Sequence, residues 1–231
     1  MNIETLFNGR KIIPVVTIER MEDCERIFGG LSDGGLLAAE VCFRTECAEE
    51  AIRYARKTYP KMLVGAGTVI DGGQCRRALG AGAQFIVSPG ISEDVALLSA
   101  QADVPYLPGT VTPTGIMRAL ALGIDRIKFF PACNFGGIAG IKSLSAAFPQ
   151  VRFMPTGGVD QENLTDYLAY PKIFACGGTW MTRGSREEIS QKSREALALA
   201  ASIKINFRQE KGHDRQQRYH FICGRLHDGR G

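Results

Sequence analysis

The chain has 231 residues, 45% hydrophobic and 23% charged, a balance ordinary for one large α/β domain or two small ones. No apolar run approaches the ~18 residues a membrane-spanning helix needs. The start Met1-Asn2-Ile3-Glu4-Thr5 lacks the basic, then apolar pattern of a signal peptide, so a cytoplasmic protein with no membrane partner is expected.

Apolar, β-type runs recur every 20 to 30 residues, in step with βα units. They predict strands over 12–18, 36–43, 63–69, 85–89, 106–110, 126–132, 152–156 and 173–179. Helix signals fall between them. Asp71, Ser92 and Thr112 stand as N-caps, with Pro113 at a first helical position, and Asp160 precedes a further helix. Gly29-Gly30, Gly80 with Gly82, and Gly123 read as helix stops. Ala, Leu and Glu dominate 187–202, and Gly184-Ser185 opens that helix. Eight strands alternating with helices over about 200 residues predict a single-domain (β/α)8 TIM barrel over 1–202. A doubly wound open sheet is the competing architecture. It usually has fewer strands and often a G-x-G-x-x-G turn, whereas Gly65-Ala66-Gly67-Thr68-Val69-Ile70 lacks the third glycine. There is no P-loop, and no cofactor is expected.

The last 29 residues, 203–231, differ. Seven basic and three acidic residues there account for the whole net charge of +4 and leave 1–202 neutral. The composition predicts a flexible basic tail, with a charge footprint too modest to predict nucleic-acid binding. All three histidines, His213, His220 and His227, lie in this tail. The body therefore has no Ser-His-Asp triad, no Cys-His pair and no histidine metal site. Seven cysteines without a C-x-x-C pair read as reduced thiols, mostly small core residues, and no metal site is expected.

In a barrel, catalytic groups sit at the C-terminal ends of strands, with alternate residues pointing inward. Lys128, in Arg126-Ile127-Lys128-Phe129-Phe130-Pro131, is a lysine inside an apolar strand. Taken alone it is equally a strand-edge lysine or a nucleophile. Burying an ammonium is costly, and a neutral amine can attack a ketone to form a Schiff base. Phe130 shares its parity and would help to dry the site. On the second strand Ala38, Glu40 and Cys42 share a face, with Arg44 just beyond, so Glu40 is either an acid/base or an ion-pair partner of Arg44. Thr68 follows two glycines, which fit a close ligand approach and tight barrel packing equally, and Ser88 lacks the G-x-S-x-G context of a nucleophile. Gly157-Gly158 after the seventh strand and Gly177-Gly178-Thr179 after the eighth occupy the usual phosphate site of this architecture. Lysine, carboxylate, arginine, threonine and a phosphate cradle together suit Schiff-base aldol chemistry on a 2-oxo acid. The arginine can hold the substrate carboxylate.

The stretches Glu40-Val-Cys-Phe-Arg-Thr-Glu-Cys47, Val64-Gly-Ala-Gly-Thr-Val69, Ser88-Pro-Gly90, Ile127-Lys-Phe-Phe-Pro-Ala132 and Pro155-Thr-Gly-Gly158 resemble the bacterial 2-keto-3-deoxy-6-phosphogluconate / 4-hydroxy-2-oxoglutarate aldolases. The resemblance covers roughly 5–202. It implies a class I aldolase on a (β/α)8 barrel, a cytoplasmic homotrimer yielding pyruvate and glyceraldehyde 3-phosphate from a phosphorylated 2-keto-3-deoxy sugar acid. Lys128 would form the Schiff base, and Glu40 would be the general acid/base. Arg44 and Thr68 would hold the carboxylate, Pro89 and Phe130 would shape the pocket, and Thr156 would contact substrate. Gly157, Gly158, Gly178 and Thr179 would cradle the phosphate. The same chemistry on the galactonate epimer or on 4-hydroxy-2-oxoglutarate, and a barrel phosphosugar isomerase or epimerase, are the alternatives. Thr179 stands where many members have serine, and Cys133-Asn134-Phe135 departs from a more acidic or alanine-rich segment.

Overall fold

A computed structural model describes residues 3–203. From residue 204 on, the expected basic tail lies outside the described residues. Helix α1 (Ile3–Phe7) comes first and has no counterpart in the sequence expectations. Strands and helices then alternate: β1 (Ile12–Val16), α2 (Asp23–Asp33), β2 (Ala38–Cys42), α3 (Ala48–Thr58), β3 (Leu63–Gly67), α4 (Gly72–Gly80), β4 (Ile86–Val87) and α5 (Glu93–Gln101). The second half runs β5 (Tyr106–Leu107), α6 (Pro113–Ala121), β6 (Arg126–Phe129), α7 (Gly137–Ala147), β7 (Arg152–Pro155), α8 (Leu164–Ala169), β8 (Cys176–Gly178) and α9 (Arg186–Ser202).

All eight expected strands are present, mostly trimmed at their C-terminal ends, and every pairing is parallel. Six form a curled sheet in the order β5-β4-β3-β2-β1-β8, and β6 pairs with β7. Isolated parallel bridges link the two sheets on both sides: Gly109 with Lys128, and Phe153 with Ile173 and Thr156 with Gly177.

The caps read from the sequence hold. The Asp71 side chain accepts from Gln74 N, that of Ser92 from Val95 N and that of Thr112 from Gly115 N. Ser185 and Glu188 form a reciprocal capping box for α9. Gly82 and Gly123 take positive φ just beyond α4 and α6, as helix stops should. One expectation fails. Gly29-Gly30 do not stop a helix but lie inside α2, because α9 packs directly on them. A Cβ on Gly30 would stand 2.7 Å from Ile189 and 2.8 Å from the Arg186 carbonyl. Asp160 precedes a helix as expected: its carboxylate accepts from the amides of Glu162 and Asn163 in a turn, and α8 begins at Leu164.

Alternation along the strands divides the core in two. One face packs Val16, Val41, Val64, Ile86, Ile127 and Phe153 under the helices. The opposite, inner face carries Ile13, Ala38, Leu63, Phe85, Leu107 and Met154, closed from the N-terminal side by Ile3 and Phe7 of α1. Phe7 lies edge-on to Phe85 at 5.2 Å and near Phe174 at 5.9 Å. Glu40 and Lys128 share the inner-face parity of Ala38 and Arg126, farther toward the C-terminal ends.

Candidate active site

The two residues on which the sequence reading turns meet. Lys128 Nζ donates to Glu40 Oε1 at 2.9 Å, across 88 residues of sequence. The lysine is 4% exposed and the glutamate not at all. Register explains the meeting. On β2, Glu40 stands between Val15 of β1 and Gly65 of β3. The carboxylate then leans over Gly67, where a Cβ would sit 2.3 Å from Oε1. Gly67 thus makes room for the carboxylate, and Gly65 makes room for the Phe85 ring. Close packing accounts for these glycines, so the sequence reading of a ligand approach is not needed to explain them.

A buried ion pair recovers its desolvation cost only if the remaining lone pairs are also satisfied. Here they are not. Among the described residues Glu40 Oε2 and Thr156 Oγ1 are buried side-chain atoms without a hydrogen-bond partner. Buried orphans of this kind are expensive in a finished core and ordinary in a site that awaits a polar ligand. Gly177 leaves room for the threonine, since a Cβ there would lie 2.4 Å from Thr156 Oγ1. The Phe130 ring lies 5.1 Å from Lys128 Nζ, as their shared parity requires, and Phe130 joins Pro131 through a cis peptide.

Arg44 does not pair with Glu40. It is exposed just beyond β2, and its Nε donates to Thr68 Oγ1 at 3.1 Å. Thr68 holds φ of +56°, a left-handed conformation that is costly for a β-branched residue and characteristic of functional turns. Burial first, then the neighbouring Glu40 carboxylate, raises the Cys42 thiol above its ordinary value. Ser88 is fixed structurally, its hydroxyl donating to the Val69 carbonyl. Pro89 lines a 180 Å³ cavity with Val69, Ile70 and Ser88, and neither Lys128 nor Glu40 belongs to that lining.

Gly157 and Gly158 both take positive φ, +89° and +78°, and turn the chain sharply after β7. Gly178 ends β8, and exposed Thr179 begins a short 3-10 turn without using its hydroxyl as a cap. Two residues that support the Gly157-Gly158 loop escaped the sequence reading, Asn163 and Cys133. Both donate to the Gly158 carbonyl, at 2.8 and 2.9 Å. The interval between a Gly-Gly turn and the following helix was the one available signal for Asn163. Among the described residues no group of three or more His, Cys, Asp or Glu could hold a metal ion.

Comparisons agree with this geometry. The KDPG and KHG aldolase family profile matches residues 3–195. The 2-dehydro-3-deoxy-phosphogluconate aldolase of Treponema pallidum is 46% identical over 195 residues, covering 82% of this chain and 93% of that protein. The crystal structure of the Zymomonas mobilis 2-keto-3-deoxy-6-phosphogluconate aldolase with 3-phosphoglycerate superposes with a TM-score of 0.81 at 38% identity, covering 86% and 96% of the two chains. That of the Legionella pneumophila KDPG aldolase, with pyruvate captured as a covalent carbinolamine, gives 0.78 at 33%, covering 88% and 98%. The chain belongs to the KDPG and KHG aldolase family and is a lyase of the aldolase class.

Proposed function

We propose that the protein is a class I aldolase cleaving 2-keto-3-deoxy-6-phosphogluconate to pyruvate and glyceraldehyde 3-phosphate. Residues 1–202 form its single (β/α)8 barrel, the bridges between the two sheets being the support for closure. A homotrimer in the cytoplasm completes the reading. The observation that carries it is the buried 2.9 Å contact between Lys128 Nζ and Glu40 Oε1.

Lys128 gives a proton to Glu40 and attacks the C2 ketone. Glu40 returns the proton to the oxygen and then takes one of the two protons left on the nitrogen, which makes the neutral carbinolamine. Glu40 hands that nitrogen-derived proton to the hydroxyl, water leaves, and the freed nitrogen lone pair closes the iminium, with Glu40 again a carboxylate. Glu40 then takes the C4 hydroxyl proton, directly or through a water. The C4 oxygen becomes the aldehyde carbonyl, the C3–C4 bond breaks, and its electron pair runs into the iminium to give an enamine. Glyceraldehyde 3-phosphate departs, Glu40 protonates C3, and water adds to C2 to release pyruvate and restore the amine. Arg44 and Thr68 hold the 2-oxo acid carboxylate, and Thr156 donates to substrate from its buried position. Phe130 and Pro89 shape the pocket. Gly157, Gly158, Gly178 and Thr179 take the phosphate through backbone amides and a hydroxyl.

The galactonate epimer and 4-hydroxy-2-oxoglutarate pass through the same steps, so kcat/KM values measured side by side on the three substrates assign the preferred one. Lys128→Arg keeps the charge but cannot form the imine, and is expected to lose at least ~10⁴-fold in kcat. Substantial residual turnover in that variant would reject the covalent route and favour an isomerase or epimerase on the same fold. Unchanged turnover after truncation at Ala201 would place the tail outside catalysis.

A further inference from the structure

The Gly158 carbonyl is held by two side chains from different elements. Asn163 Nδ2 donates to it at 2.8 Å from the start of α8. Cys133 Sγ donates at 2.9 Å from the turn that follows the lysine strand. Each donor is itself fixed. Asn163 Oδ1 accepts from the Asp160 amide at 3.1 Å, and the Cys133 amide donates to the Gly157 carbonyl at 3.0 Å. In a trans peptide the carbonyl and the following amide point in opposite directions. Holding Gly158 O on the Cys133–Asn163 side therefore turns the Val159 N–H to the other side. Among the described residues the amides of Gly158 and Val159 donate to no protein acceptor. The contact also fixes residue types, since a Cβ at Gly158 would lie 2.3 Å from Cys133 Sγ.

We infer that Asn163 and Cys133 are positioning residues for phosphate recognition: their joint side-chain grip on the Gly158 carbonyl presets the Val159 amide for the substrate phosphate, beside the Gly158 amide, whose own peptide is held by the Cys133 amide at the Gly157 carbonyl. The inference rests on the proposed phosphate-binding role of the Gly157-Gly158 loop. Both side chains hydrogen-bond the loop while Lys128 pairs with Glu40, so the grip acts on binding of the phosphorylated end and not on the Schiff-base steps.

The test compares KM and kcat on 2-keto-3-deoxy-6-phosphogluconate and on unphosphorylated 4-hydroxy-2-oxoglutarate, in wild type, Asn163→Ala, Cys133→Ala and Cys133→Ser. Each alanine variant removes one hydrogen bond and is expected to raise KM for the phosphorylated substrate about threefold to tenfold. KM for the unphosphorylated substrate and both kcat values should stay within about twofold. Cys133→Ser retains a donor and should restore the wild-type KM. Cys133 is exposed, so its variants stay informative even if Asn163→Ala unfolds. An unchanged KM in both alanine variants overturns the inference, as does an equal rise on both substrates. If wild type itself shows no KM preference for the phosphorylated substrate, the phosphate-loop reading fails and the inference falls with it.

Discussion

The two ends of the strand set solve the problem of buried charge in opposite ways. β6 places Arg126 and Lys128 two residues apart on one face. At the N-terminal end Arg126 and Arg152 both donate to the carboxylate of Glu4 in α1, and Arg126 adds Asp125 at 2.8 Å. Beneath them Phe7, Phe85 and Phe174 close the inner face without a polar atom. One turn of the pleat higher, Lys128 has its carboxylate as well, but Glu40 Oε2 and Thr156 Oγ1 are left over among the described residues. The same fold that satisfies its cations at one rim thus leaves acceptor and donor capacity unspent at the other. Stability and chemistry are separated along a single strand.

The largest expected effect lies at the C-terminal rim. Glu40→Gln keeps an acceptor for Lys128 but cannot carry protons, and should lower kcat by ~10²–10⁴. A kcat within twofold of wild type would remove Glu40 from the acid/base role. Gly67→Ala comes next. The added Cβ meets Oε1 at 2.3 Å, so the carboxylate must move. Displacing a catalytic group by about 1 Å can cost ~10²-fold in kcat, and unchanged kinetics would show that the Lys128–Glu40 geometry is not critical.

The opposite rim should respond in the opposite currency. Phe7→Ala empties a site only 2% exposed. A loss of about 3–5 kcal/mol in denaturant-derived stability is expected, with kcat preserved in the folded fraction. A loss of kcat at unchanged stability would break the division between the two ends. The smallest effect is alkaline. Burial raises the thiols of Cys176 and Cys42, and pushes that of Cys24 up from 9.0 to about 11. The folded chain then keeps protons that the unfolded chain releases. Their contribution is fully present below the unfolded thiol value and is lost as pH rises from about 9 toward 11. Chemical denaturation at pH 8 and pH 10 should show lower stability at pH 10 in wild type and a smaller drop in Cys24→Ala. An equal drop in the two would assign the alkaline loss to other groups.

Period and punctuation made most of the fold legible. Strand parity put Lys128 with Phe130 and Glu40 with Ala38 and Cys42, and the caps at Asp71, Ser92, Thr112 and Ser185 sit where their side-chain chemistry requires. What stayed hidden depended on distant packing. Gly29-Gly30 resemble a stop locally, and only the arrival of α9 reveals them as its seat. The five residues of α1 are too short for a helical period to register, yet Phe7 and Glu4 close one end of the molecule. At the site, residue type exposed Lys128 and Glu40. The supports at Gly67, Gly177 and Cys133 act through contacts that no spacing encodes. Arg44 was available to Glu40 by sequence, and it was the register of β2 beside β3 that gave the carboxylate to Lys128 instead.

The central claim is that the unspent polar capacity around Lys128 serves covalent chemistry. Borohydride reduction in the presence of pyruvate, followed by peptide mass mapping, tests it most directly. The account predicts one reduced pyruvate adduct, on Lys128, absent without pyruvate and absent in Lys128→Arg. An active enzyme that yields no adduct, or an adduct on another lysine, would contradict it.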